Sequence, residues 1–559
     1  MININKRVVI LTSTAILILA VISSTFYGTL KKEGRVSSSM IDDAASVIGL
    51  EFTRSEKDSM VEDLNDLLDS YESLRALNLP NSLPPAIGFN PVLPGMVSGT
   101  ESGNFRYNRP DNVKRPQNLE EVAFWTVAEL AELIRTRQVT SVELTNMYLE
   151  RLRKYGPILE CVVTLTDELA LEQAKKADAE IDSGNYKGPL HGIPWGAKDL
   201  LATKGIKTTW GGTPYKEQMF DYDAAVVKKL EEAGAVLVAK LTLGALAWGD
   251  VWYGGKTRNP WKLEQGSSGS SAGPGAATAA GLVGFSIGSE TWGSIISPAT
   301  RNGTTGLRPT FGMVSRHGAM ALSWTMDKLG PMTRSVTDAA LVFNAIYGPD
   351  GLDLSVVDKP FEYNESIDLS RIRIGYLKKE FDEEREQKDI DNEVIDVLWA
   401  LGAELVPIEF PDFPVNDISF ILSAEAAAAF DELTRSGKDE LLVRQKKQAW
   451  PNVFRQARLI PAVEYINANR ARRLLMQKME EMLKDIDLYV APTFGGGSLL
   501  ATNLTGHPAV VLPNGFREDG TPTSITFTGK LYDEGRLLAV AGAYQKATDH
   551  HLKYPALSE

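Results

Sequence analysis

The sequence predicts an α/β fold, a β-sheet covered by α-helices, preceded by a helical N-terminal extension. Three observations predict it. Helix-like and strand-like segments alternate beyond Gly184. Short unbroken apolar runs such as "AVLVAK" (Ala235–Lys240) and "PAVVLP" (Pro508–Pro513) have the length and composition of strands buried on both faces. Ahead of them, a stretch of helix-spaced apolar residues is set apart by seven prolines between Pro80 and Pro116. The 559 residues, 43% apolar and 23% charged, are ordinary globular material able to bury a large core. A net charge of −13 without a basic cluster argues against nonspecific nucleic-acid binding, which needs phosphate-neutralising Lys and Arg, and no nucleic-acid partner is expected. Cys161 is the single cysteine, so neither an intramolecular disulfide nor a cysteine metal cluster is available.

Lys6 and Arg7 precede an apolar run from Val8 to about Gly28, with Ser23, Ser24 and Thr25 near its end. A basic start, an apolar centre and small residues form a signal-peptide pattern, and the run is nearly long enough to span a bilayer. Residues 1–28 are therefore expected to be a signal peptide or a retained membrane anchor. Either predicts export to a periplasmic or extracytoplasmic location, the second with membrane attachment. A buried helix of the globular fold is the alternative, and Lys31, Lys32 and Arg35 leave orientation open.

From residue 39 to 79 the spacing predicts helices, with Ile41, Ala44, Ala45, Ile48, Met60, Leu64, Leu67 and Leu68 on apolar stripes and acidic residues opposite. Residues 80–119 read as an extended, proline-rich connector. The main α/β domain is expected over 120–552. Thr126-Val-Ala-Glu129 and Thr140-Ser-Val-Glu143 read as capping boxes opening two helices. A third helix is expected from Asp167 to Ile181, ending at Gly184, and a fourth over Asp391–Leu401. Further strands are expected at "IRIGYL" (Ile372–Leu377) and "IDLYVA" (Ile486–Ala491).

Several chemistries fall away. None of the five histidines forms an HExxH spacing, and His550–His551 reads as a solvated polar pair rather than a metal site. In "GDVWYGGKT" the glycine that a phosphate loop needs is displaced by one residue, so lysine and amides do not converge on a phosphate. Gly269-Ser270-Ser271-Ala272-Gly273 is a formal GxSxG, which in an α/β-hydrolase esterase would make Ser271 the nucleophile at a strand-to-helix elbow. The preceding "NPWKLEQGSS" does not read as a strand.

A serine can also be activated by a lysine that burial keeps neutral. Lys198 lies in "HGIPWGAKDLL", unlike the Lys/Glu surfaces elsewhere, and Ser294 follows a glycine in "GSETWGSIISPATRNG". An ion pair between Lys198 and Asp199 or another acid is the alternative.

These segments resemble the amidase signature family of serine hydrolases. "GIPWGAKD" (Gly192–Asp199), "GGKTRNP" (Gly254–Pro260), "GSSAGPGAATAAG" (Gly269–Gly281), "GSETWGSIISPA" (Gly288–Ala299), "GLRPTFGMVS" (Gly306–Ser315) and "DKLGPMTRSVTDAA" (Asp327–Ala340) follow that family's order, and "TGHPAVVLPNGF" (Thr505–Phe516) is similar to its C-terminal region. The resemblance implies a mixed central sheet covered by helices, amide hydrolysis, no metal and no cofactor. It implies a Ser-Ser-Lys arrangement with Ser294 as nucleophile, Lys198 as base and a bridging serine reached through a cis peptide. Ungapped alignment, 24 residues back from Ser294, puts the bridge at Ser270; aligning on the letters of "GSSG" would choose Ser267. Backbone N–H groups of Thr291, Trp292, Gly293 and Ser294 would form the oxyanion hole.

Two departures stand out. Trp292 replaces a glycine, so its indole either walls the acyl pocket or packs against the loop. Glu290 faces Ile296 where the family commonly pairs an acid with arginine, and the ion pair is expected to be absent. Peptide-amidase-like members lack that arginine too, which points to a small-molecule or peptide amide substrate. The competing functions are the glutaminase component of a tRNA-dependent amidotransferase, the Ser271 esterase, and a non-catalytic membrane-tethered binding protein.

Overall fold

One large mixed sheet organises the chain beyond residue 80. The computed structural model describes residues 35–76, 80–82, 88–92 and 103–557. They fall into two units, one of residues 1–80 with 459–462 and one of residues 81–458 with 463–559. The segment 1–28, expected to direct export, lies outside the described residues.

In the first unit, α1 (Ser38–Ile48) starts at Ser37, whose hydroxyl accepts the Met40 N–H at 3.4 Å, and stops at Gly49 in left-handed geometry. Helix α2 (Arg54–Arg75) follows, and Lys57 Nζ reaches back to Asp42 Oδ1 at 2.6 Å. Ile41 and Ala45 are buried, but Ile48 and Leu67 are exposed, so the pair leaves part of its apolar stripe open. Among the described residues no helix is long and apolar enough to cross a membrane.

In the second unit both capping boxes form. Thr126 Oγ1 accepts the Glu129 N–H at 3.2 Å while Glu129 accepts the Thr126 N–H at 2.8 Å, opening α3 (Val127–Arg135). Thr140 and Glu143 repeat the exchange at 3.1 and 2.9 Å to open α4 (Ser141–Leu159). Helix α5 (Asp167–Asp182) follows. The sheet has eleven strands: β1 (Val162–Leu165), β2 (Pro194–Lys198), β3 (Val236–Leu241), β4 (Phe285–Glu290), β5 (Thr305–Arg308), β6 (Lys328–Thr333), β7 (Arg373–Leu377), β8 (Glu404–Ile408), β9 (Leu488–Pro492), β10 (Ala509–Phe516) and β11 (Pro522–Gly529). Their spatial order is β8-β7-β9-β11-β10-β5-β6-β4-β2-β3-β1.

The sheet is mixed because two connection types build it. Strands β2 and β3 are parallel, as are β2 and β4, while β4, β6, β5, β10, β11 and β9 run antiparallel in succession and β9, β7 and β8 are parallel again. The parallel pair β2–β3 is joined through helix α6 (Ala225–Glu232), and β7–β8 through a helix over Lys388–Ala400, as parallel neighbours require a crossover. Helices cover the sheet: α4 and α5 bury Leu149, Leu152, Ala170 and Ala174 with Val236 and Val238 of β3. This layering buries β2, β3, β4 and β6 completely along their length.

Two expectations need correction. Lys262–Gly266 is a short strand, paired antiparallel with Arg258–Asn259 in a hairpin outside the main sheet. Its polar side chains stay half-exposed, which is why the polar sequence folds as a strand there. His550 and His551 are partly buried rather than solvated, and burial pushes the His551 imidazole down to about 4. Among the described residues no group of three or more His, Cys, Asp or Glu is arranged to hold a metal ion.

Candidate active site

The carboxyl ends of the parallel strands β2 and β4 converge on one point, the usual location of sites in α/β sheets. Lys198 is the last residue of β2 and is wholly buried. Its Nζ lies 2.8 Å from Ser270 Oγ, 3.0 Å from Ser271 Oγ, 2.8 Å from Ser289 Oγ and 3.4 Å from the Ser289 carbonyl. These partners are neutral. Burial pushes the ammonium form of Lys198 well below the ordinary lysine range, opposed in part by the more distant charges of Asp327 and Glu290.

Asp199, the alternative partner, is engaged elsewhere. Its Oδ1 sits 3.1 Å from Lys240 Nζ, and its Oδ2 accepts from the Thr209 N–H at 2.8 Å and hydroxyl at 2.5 Å. Both members of the Asp199–Lys240 pair are fully buried.

The serine-rich run lies between the hairpin and helix α7 (Ala272–Ala279). The Gly269–Ser270 peptide bond is cis. Gly269 is required on close-approach grounds: a Cβ there would lie 1.9 Å from the Gly249 carbonyl oxygen. The three serines of interest separate by partner. Ser270 Oγ meets Lys198. Ser271 Oγ donates to the Ser289 carbonyl at 3.1 Å and accepts from the Ser289 N–H at 3.1 Å and from Lys198, so its one donor and two acceptor positions are filled. Ser267 Oγ donates to the Ser268 carbonyl at 3.0 Å.

Ser294 sits in the loop between β4 and helix α8 (Ile296–Asn302) and is 8% exposed. Its carbonyl accepts the Ser271 N–H at 3.0 Å, which ties the two serine-bearing loops together. Gly293 takes φ of +85°, and a Cβ there would press on Leu499 and Ser297 at 3.1 Å. Trp292 is 42% exposed. Thr291 Oγ1 donates to Asp327 Oδ1 at 2.5 Å, and Asp327 Oδ2 accepts the N–H groups of Leu322 and Ser323 at 2.8 and 2.9 Å.

The pair between positions 290 and 296 is absent, as Ile296 requires, and Glu290 instead forms an ion pair with Arg308 of β5, at 2.9 Å and fully buried. Its Oε1 also accepts from Asn503 Nδ2 at 2.8 Å, and its Oε2 accepts the N–H groups of Ile295 and Ile296 at 2.9 Å each. Burial alone would raise its pKa, but Arg308 and the Ile296 N–H outweigh this and hold the carboxylate below its usual range. The arginine missing after Ser294 is thus supplied by another strand.

Sequence reasoning had passed over Ser289, Arg308 and Asp327. Ser289 lies within "GSETWGSIISPA", where a chemically plain hydroxyl gives no separate signal. Arg308 reaches Glu290 only because β5 and β4 flank β6 in the sheet, a proximity that no local pattern encodes.

A wholly buried lysine whose pKa burial lowers, set in a cluster of serine hydroxyls, defines a class: a site able to move protons from serine without histidine. Likeness to known proteins sharpens it. The family profile described as Amidase matches residues 143–499. The A component of the glutamyl-tRNA(Gln) amidotransferase from Thermoanaerobacter pseudethanolicus is 33% identical over 481 residues, covering 77% of this chain and 98% of that protein. The peptide amidase from Stenotrophomonas maltophilia has a TM-score of 0.68 at 30% identity, over 77% of this chain and 98% of that one. An amidase family protein from Bacillus anthracis has a TM-score of 0.71 at 28% identity, over 78% of this chain and 94% of that one. The chain belongs to the amidase family and is an amide-hydrolysing enzyme.

Proposed function

We propose that the protein hydrolyses a small-molecule or peptide amide through an acyl-enzyme on Ser294. Neutral Lys198 takes the proton of Ser270, which takes that of Ser294 as its Oγ attacks the carbonyl carbon. The carbonyl oxygen becomes an oxyanion among the N–H groups of Thr291, Trp292, Gly293 and Ser294. Collapse breaks the C–N bond, and the proton held at Lys198 returns through Ser270 to the leaving amine. Water then attacks the ester by the same relay and frees the acid.

The observation that carries this proposal is the wholly buried Lys198 Nζ at 2.8 Å from Ser270 Oγ, with Asp199 held away by Lys240. The filled hydrogen-bond positions of Ser271 speak against it as an esterase nucleophile. The amidotransferase relatives favour a second reading, a glutaminase component that works inside a complex. The apolar run Val8–Gly28 supports export, where such a complex with tRNA would not assemble.

An amide panel assayed with the isolated chain, followed by a serine-reactive probe and mass mapping, tests the proposal. Label on Ser294 and loss of turnover in Ser294→Ala are expected. Full turnover in Ser294→Ala would refute the assignment. Glutamine hydrolysis only with added partner proteins would favour the second reading. Fractionation of cells expressing the tagged chain tests export.

A further inference from the structure

A cavity of about 540 Å³ opens beside the lysine–serine cluster, with Ser289 and Thr291 in its wall. Ser289 is the residue whose hydroxyl lies 2.8 Å from Lys198 Nζ, so the cavity wall includes a direct contact of that lysine. Beyond that contact its lining is mainly apolar. Phe311, Met320, Leu322 and Trp324 come from the body of the fold, and Phe89 and Pro91 come from the proline-rich connector.

The charged groups in the wall are already committed. Arg316 donates to Asp353 Oδ2 at 2.9 Å and to the Trp324 carbonyl at 2.7 Å, and its guanidinium stacks 4.7 Å from the Phe311 ring centre. Asp327 accepts from Thr291, Leu322 and Ser323. With Arg316 paired to Asp353, and Asp327 already accepting from three neutral donors, these groups leave no open ion-pairing position, and the space favours an uncharged occupant, since an unpaired ionic group would lose its hydration without compensation. Volume and lining are those of a pocket for a small organic group.

The connector is built into this wall. Phe89 packs edge-on against Phe311, with ring centres 5.1 Å apart, and lies 3.5 Å from the Arg472 guanidinium carbon. Arg472 is held in turn by Thr325, through its hydroxyl at 2.8 Å and its carbonyl at 2.7 Å. The Asn81 amide donates to the Ala321 carbonyl and accepts the Ala321 N–H, both at 2.8 Å. Connector residues thus meet the main fold through ring stacking, a cation–π contact and a strand-like amide pair.

We propose that this cavity receives an alkyl or aryl group of the substrate amide, and that Phe89 limits how long that group can be. The proposal rests on the amide-hydrolase reading of the neighbouring serines. It names the substrate class as amides with one extended apolar substituent.

Two substrate series test it: n-acyl p-nitroanilides from acetyl to dodecanoyl, and N-alkyl butyramides over the same lengths. In one series kcat/KM is expected to rise about fourfold per added methylene, the value of burying one such group, and then level off. Phe89→Ala moves that plateau to chains at least two carbons longer. Leu354, 92% exposed at the cavity wall, offers a variant remote from the core; Leu354→Glu lowers the preference for the longest chains. Calorimetry of Ser294→Ala with primary n-alkyl amides reads the same length dependence without turnover. A flat response in both series and in calorimetry overturns the proposal. So does a plateau unmoved in Phe89→Ala, or in Phe89→Leu should the alanine variant not fold. Length-dependent binding without hydrolysis of any amide would sink the amide-hydrolase reading while leaving the cavity assignment standing.

Discussion

Replacing Glu290 with glutamine removes one charge from the loop that carries Ser294, and the consequences can be worked from its contacts. The carboxylate serves four donors: Arg308 Nη1, Asn503 Nδ2 and the N–H groups of Ile295 and Ile296. A glutamine offers one acceptor oxygen in place of two, and its NH₂ must face donors on one side or the other. Arg308 keeps Thr502 Oγ1 at 2.8 Å and the His507 carbonyl at 3.0 Å but loses its ion-pair partner Glu290 while fully buried. Breaking one side of a buried pair costs about 3–5 kcal/mol. The unit that contains it, residues 81–458 and 463–559, has an unfolding entropy near 1 kcal/mol/K at about 2.1 cal/mol/K per residue, so Tm should fall by about 3–5 °C.

The assay is scanning calorimetry of wild type, Glu290→Gln, and Glu290→Gln/Arg308→Met. The double variant should melt above the single one, because it removes the orphaned cation. The pH dependence has a definite sign. Glu290 has a folded pKa below its unfolded value, so its contribution is fully present above the ordinary glutamate range and is lost as pH falls through the folded value. The gap between wild type and Glu290→Gln should therefore close on acidification. A single-variant loss below about 1 °C, or a double variant melting no higher than the single, would refute the account of Glu290 as the clamp on this loop.

Four further outcomes follow from the same geometry. Because burial lowers the Lys198 pKa and the proposed mechanism uses the neutral amine, kcat/KM should rise with pH along a limb well below 10.5, while stability also rises with pH between the folded and unfolded pKa values; a limb at the ordinary lysine value contradicts this. Lys240→Met should shift that limb to higher pH, since Asp199 then lacks its cation beside Lys198; an unmoved limb in a folded variant removes the role assigned to Lys240. Ser270→Ala should lower kcat by about 10²–10⁴, as loss of a general acid–base group does, and Ser267→Ala by far less; the reverse order transfers the bridge to Ser267. Gly269→Ala should abolish activity and lower Tm, because its Cβ would collide with the Gly249 carbonyl oxygen; wild-type turnover in that variant would refute the packing argument.

The parts of the fold legible in the sequence were those whose signal is local. Four apolar runs became β3, β7, β9 and β10 with ends shifted by a few residues, and both capping boxes formed as spelled. Other central strands were hidden because their burial is a tertiary fact. "FSIGSE" (Phe285–Glu290) and "KLGPMT" (Lys328–Thr333) mix glycine, proline, serine and charge, yet every residue in them is buried. Their polar groups are satisfied across the sheet and by loops, as with Ser289 by Ser271 and Glu290 by Arg308. Strand propensity has no access to such partners.

The same division explains the serine-rich run. Spacing in a GxSxG pattern singles out Ser271, and the flanking hairpin strand and helix α7 even give it a strand-to-helix setting. What separates Ser271 from its neighbours is saturation. A serine hydroxyl has one proton and two lone pairs, and Ser271 has committed all three to Ser289 and Lys198. Ser270 has Lys198 as its hydrogen-bond partner, which leaves it capacity to pass a proton onward. A hydroxyl that relays must exchange partners during turnover, whereas one with every position filled can only hold its neighbours in place. On that ground the proposed mechanism uses Ser271 as a strut for the Ser289 backbone and gives the proton relay to the adjacent Ser270.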